Sequence, residues 1–81
     1  MNQKLLEIIN TIRVSKGYDA LNAIENQNHL RNDLGFDSFD LAELTVHIED
    51  TFNVDIFENG IVNTVGEVIT ILQNNSLNAT I

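Results

Sequence analysis

The chain contains no cysteine and no proline. Without cysteine it has neither a disulfide framework nor a thiolate metal site, and it suits a reducing compartment, so the cytoplasm is the expected location. No apolar run approaches the roughly 18 residues of a membrane span. The start, MNQKLLEIIN, also lacks the uninterrupted apolar stretch and small-residue cleavage site of a signal peptide. The chain therefore reads as soluble and unprocessed, with no membrane span. Bases are scarce too: Lys4, Arg13, Lys16 and Arg31 stand against twelve acids, a formal charge of −8. From residue 32 onward there are nine acids and no base. Such a half repels nucleic acid and anionic lipid, and a basic protein surface is its natural partner. The plain alternative is a solvated face that only aids solubility.

What is present is helical periodicity. Eighty-one residues suit one domain over 1–81, burying about 60% of the surface of its unfolded chain. Leu5, Ile8, Ile9 and Ile12 follow the i, i+3, i+4, i+7 pattern and predict a first helix from about Asn2 to Ser15, ended by Gly17. Residues 16–37 are rich in Asn and Gly, with Leu21, Ile24, Leu30 and Leu34 set singly among them. This predicts a long ordered loop pinned to the core by those side chains. A second helix is expected from about Ser38 to Phe52, with Asp37 or Ser38 as N-cap and Asn53 at its end. FNVDIF, residues 52–57, alternates like a strand but has no strand-like run to pair with, so it reads as an extended connector. At most a short helical turn fits around Phe57 to Val62. Thr64 and Glu67 are spaced as a capping box for a last helix, whose buried stripe is Val65, Val68, Ile69 and Leu72. The tail from about residue 74 is expected to fray. There is no internal repeat or low-complexity linker, and the fold class is all-α, a small helical bundle.

The second helix carries two apolar faces. At 100° per residue from Phe39, Leu41, Leu44, Ile48 and Phe52 fall between about 140° and 220°, which makes them the core face. Phe39, Ala42 and Val46 fall within about 60° of the opposite side, flanked by Asp40, Glu43, His47 and Asp50 at about 20° to 100°. A helix in so small a bundle cannot easily bury both sides. An exposed apolar strip bordered by acids has the make-up of a protein docking surface, with burial supplying affinity and charge supplying steering. The competing reading has Phe39 tucked under the loop as core.

Ser38 sits between Asp37 and Phe39 at the head of that helix, and three roles suit it. Nucleophilic catalysis needs a base within reach; His47 is nine residues on, about 13 Å along the axis, and the glycines of the G-x-S-x-G elbow are missing. His29 is loop-borne and closer approach is open to it. No metal site is expected, because Asp37, Asp40 and Glu43 lack the calcium-loop pattern. A hydroxyl at an N-cap is worth about 1 kcal/mol but leaves the two-faced helix unexplained. An attachment point explains it, since a phosphate esterified there places negative charge at the positive end of a helix.

The segment DLGFDSFDLAELTVHIEDTFNVDI resembles an acyl carrier protein, through Leu34 and Gly35, then Asp37 and Ser38, then Glu43 and Leu44. HLRNDLG is similar to the end of that family's first loop, and NTVGEVITIL to its last helix. The resemblance implies an acyl-carrier-like bundle of three main helices plus a short helical turn, with a long first loop, and a monomeric, non-enzymatic carrier. It implies that Ser38 bears a covalent 4′-phosphopantetheine, transferred from coenzyme A by a phosphopantetheinyl transferase that reads the adjacent Asp37. The arm's thiol would hold acyl groups as thioesters in fatty acid, polyketide or related biosynthesis. By motif position, Phe39, Ala42 and Val46, with Asp40, Glu43, Glu49 and Asp50 as acidic contacts, would meet acyl-loading and acyl-processing enzymes through their basic docking surfaces. Phe39 stands where leucine is usual, Ala42 where a larger aliphatic is common and His47 where a small residue is frequent, and residues 56–63 are short and less acidic. Peptidyl carriers usually show Gly-Gly-x-Ser, against Gly35-Phe36-Asp37-Ser38 here. An aminoacyl carrier, peptidyl or D-alanyl, and an unmodified acidic adaptor are the alternatives.

Overall fold

A computed structural model describes residues 2–58 and 60–79, the last four of these through their backbone alone. Among the described residues there are three helices, α1 (Asn2–Ser15), α2 (Ser38–Phe52) and α3 (Val65–Ala79), and no strand. In α1 the periodic stripe turns inward: Leu5, Ile9 and Ile12 are buried and Ile8 packs partly against them. Gly17, at φ +89°, lets the chain reverse out of the helix. The N–H of Tyr18 then bonds the carbonyl of Arg13 at 2.9 Å.

The long loop is held as its isolated apolar residues predict. Leu30 and Leu34 are buried, as is Phe36, while Leu21 and Ile24 pack against the core edge. Polar side chains take up the loop's backbone groups where no ladder exists. The amide of Asn10 holds both backbone groups of Leu21, donating to its carbonyl at 2.9 Å and accepting its N–H at 2.7 Å. His29 Nδ1 accepts the N–H groups of Arg31 and Asn32, each at 3.2 Å. An isolated antiparallel bridge, His29 to Thr64, ties the loop to the start of α3. The N–H of Leu30 bonds Asn63 O at 2.8 Å, and that of Val65 bonds Asn28 O at 2.9 Å.

In α2, Leu44 and Ile48 are fully buried against α1, with Leu41 and Phe52 partly so. The helix stops at Asn53, whose left-handed backbone (φ 60°, ψ 41°) bonds Glu49 O. The connector departs from an extended form. Val54 and Ile56 reach the core, but Asp55 Oδ1 takes the N–H of Phe57 at 3.0 Å and bends the chain into a turn. That side-chain bond competes with helical pairing. Among the described residues between α2 and α3 there is accordingly a turn and no helix. At the head of α3, Thr64 Oγ1 accepts the N–H of Glu67 at 3.2 Å, while Glu67 Oε2 accepts that of Asn63 at 3.4 Å. Val65, Val68, Ile69 and Leu72 complete the core. The helix runs to Ala79, and nothing after Leu72 up to that point is Gly or Pro. Thr80 and Ile81 of the expected frayed tail lie outside the described residues.

Candidate functional site

Ser38 is the first residue of α2, and its hydroxyl is not the cap. Asp37 takes that place with extended backbone (φ −101°, ψ −174°). Its Oδ1 accepts the N–H of Asp40 at 3.0 Å, and Asp40 Oδ2 accepts the N–H of Asp37 at 2.9 Å. This reciprocal box ties up helix-end donors that a serine cap would have used. Ser38 is therefore exposed, with its oxygen free for other chemistry. Its recorded hydrogen-bond partner is Arg31, whose Nη2 donates to Oγ at 3.3 Å. A guanidinium cannot take a serine proton. His29, the loop-borne histidine, uses Nδ1 as an acceptor for its own loop.

Asp40 departs from the docking flank on which its helical angle puts it. Only 8% of the residue is exposed, because its carboxylate turns back to the capping box and to Lys16 Nζ, which pairs with it directly. Lys16 Nζ also lies 3.7 Å from Asp37 Oδ2. The Asp37 carboxyl is held below its ordinary range, first by the N–H of Asp40 and further by Lys16, so it is a stable anion beside Ser38. The Lys16 ammonium is correspondingly pushed up, chiefly by its hydrogen bond to Asp40. Lys16 and Arg31 had no signal of function in the sequence beyond being the last bases before the acidic half.

The opposite side of α2 from Leu44 and Ile48 is in water. Phe39 is 87% exposed and Val46 65%, with Ala42 exposed between them and Glu43, Glu49 and Asp50 exposed alongside. His47 Nε2 lies 3.5 Å from Glu43 Oε2. A shallow hollow of about 410 Å³ opens beside Val46, lined also by Glu49, Asp50 and Asn53. A second cleft, about 530 Å³, is lined by Ile56, Ile61, Val62, Thr64 and Ile71, none of them on this face. Among the described residues no cluster of three His, Cys, Asp or Glu could hold a metal ion, and no helix is long and apolar enough to cross a membrane.

Residues 4–72 match the family model described as the phosphopantetheine attachment site. The chain belongs to that family. Members of the phosphopantetheine attachment family are carriers and not catalysts, and they bear 4′-phosphopantetheine covalently. No curated protein and no solved structure matches the chain. The attachment family needs an accessible hydroxyl, and the exposed oxygen at the head of α2, already relieved of capping, fits that need.

Proposed function

We propose that the chain is an acyl carrier protein in which Ser38 bears the arm. The observation that carries this reading is the exposed hydroxyl of Ser38, with Asp37 serving as the cap in its stead. During attachment Ser38 Oγ forms the bond to phosphorus as the pyrophosphate bond of coenzyme A breaks. The nucleotide half leaves, and the hydroxyl proton passes to a base of the transferase. Asp37 is the anion next to the reacting oxygen and the residue a transferase reads. When bound, the arm supplies a terminal thiol that holds acyl cargo as a thioester. Phe39, Ala42 and Val46 bury against partner enzymes, and Glu43, Glu49 and Asp50 steer their basic surfaces into register. Asp40 supports the head of the helix instead of touching partners. Gly35-Phe36-Asp37-Ser38 favours acyl cargo over aminoacyl cargo, in fatty acid, polyketide or related biosynthesis.

The test is intact mass after incubation with coenzyme A and a broad-specificity phosphopantetheinyl transferase. One phosphopantetheine is gained by the wild type and none by Ser38→Ala. An unmodified wild type, or an adduct retained in Ser38→Ala, would falsify the reading. Competing loading reactions with fatty acyl groups and amino acids then decide the cargo class, and preferred amino acid loading would reverse that choice.

A further inference from the structure

A phosphodiester on Ser38 would add an anion at a point that is already negative. The Asp37 carboxylate is adjacent in sequence and held ionised, and the acidic half of the chain begins here. The usual compensation, free N–H groups at a helix start, is reduced at α2. Asp37 Oδ1 takes the N–H of Asp40 at 3.0 Å, and Asp40 Oδ2 takes the N–H of Asp37 at 2.9 Å. A side-chain cation beside Ser38 would add to what the helix end retains.

Of the four bases, Arg31 is placed for this. Lys16 is engaged by Asp37 and Asp40. Arg13 donates to the carbonyls of Leu34 at 2.7 Å and Asp19 at 3.1 Å. Lys4 lies in the first turn of α1. Arg31 Nη2, by contrast, donates to Ser38 Oγ itself at 3.3 Å, and among the described residues Arg31 forms no ion pair. Its backbone is fixed at both ends, the N–H by His29 Nδ1 at 3.2 Å and the carbonyl by the N–H of Gly35 at 3.1 Å. The planar fork of a guanidinium suits phosphate oxygens, and these would lie two bonds beyond the serine oxygen it already meets.

We infer that Arg31 is the positioning residue for the root of the arm, pairing with the phosphodiester on Ser38. The inference rests on the carrier reading. On attachment the guanidinium moves from the neutral hydroxyl oxygen to the charged phosphate oxygens, a stronger acceptor. The arm then leaves the protein in a defined direction while everything beyond its phosphate stays free.

The test compares wild type, Arg31→Ala and Arg31→Lys, each converted to the phosphopantetheinylated form and verified by intact mass. In the wild type, attachment displaces the Arg31 Nε–Hε resonance from its position in the unmodified protein. The 31P resonance moves by more than its linewidth in Arg31→Ala, and Arg31→Lys brings it part of the way back. Far-UV circular dichroism stays that of the wild type, since the side chain is exposed. A 31P resonance unmoved in Arg31→Ala, or an Arg31 side-chain signal indifferent to attachment, overturns this inference alone. A wild type that accepts no arm overturns it together with the carrier reading.

Discussion

Phe39→Ala separates docking from folding. With 87% of Phe39 left in water, folding has drawn on only a small part of the about 1.5–3 kcal/mol that full burial supplies. Its removal lowers stability by a few tenths of a kcal/mol, about the remaining eighth of that range. A partner that covers the exposed remainder gains about 1.3–2.6 kcal/mol from it, so the substitution weakens docking roughly 10- to 80-fold. Leu44→Ala, on the face with no exposure, does the reverse and costs about 2–5 kcal/mol of stability. The assays are urea unfolding followed by far-UV circular dichroism, and kcat/KM for transfer of phosphopantetheine with the carrier as varied substrate. Unaltered kcat/KM in Phe39→Ala refutes the docking strip. A stability loss above about 1 kcal/mol shows that Phe39 is core after all.

Other substitutions probe the head of α2. Gly35 has φ +77°, and a Cβ there would lie 2.8 Å from Tyr18 Cε2. Gly35→Ala costs about 1–2 kcal/mol for the left-handed backbone, plus about 0.5–1 kcal/mol as Tyr18 swings away from Arg13 and Lys16. In a Tyr18→Ala background only the backbone part remains; equal losses in both backgrounds exclude the ring contact. Asp40→Ala loses the capping box and about 1–2 kcal/mol, whereas Glu49→Gln leaves the urea midpoint unchanged and weakens the salt dependence of docking. The folded Asp37 carboxyl lies below its ordinary value of 3.8, so its stabilisation is present above pH 3.8 and is lost as pH falls through the lower folded value. Asp37→Asn keeps a competent cap and flattens that acid limb of stability against pH; an unchanged limb counts against the capping anion. Lys16 has the opposite sign: its contribution is complete below 10.5 and is lost as pH rises through its raised folded value.

The helices were legible because each carries a one-sided apolar period, and the place of Ser38 at the head of α2 because that period begins beside it. The strip from Phe39 to Val46 was legible because one helix cannot bury two opposite faces in a bundle of this size. The burial of Asp40 was not legible for a reason intrinsic to sequence: at about 100° from Phe39 it lies on the border between faces. What pulls it inward is Lys16, which arrives from the end of α1. Phe36 was not marked as core, since a lone aromatic in a Gly- and Asp-rich stretch has no period to announce burial. The segment after α2 was read as extended from its alternation, but the Asp55 side-chain bond decides its bend. Arg31 stands seven positions before Ser38, and only the folded turn from His29 to Gly35 brings its guanidinium to the hydroxyl.

Ser38 and Val46 belong to one uninterrupted helix whose first turn is boxed by Asp37 and Asp40 and clamped to the end of α1 by Lys16. Eight residues at 1.5 Å each set a span of about 12 Å along the axis between Ser38 and the far end of the strip at Val46. That span is a built-in ruler. In the proposed carrier, however far the tether sways, an enzyme that alights on Val46 would find its origin at the same offset, so the depth of the enzyme's tunnel, and not the posture of the carrier, would select which cargo atoms reach the chemistry.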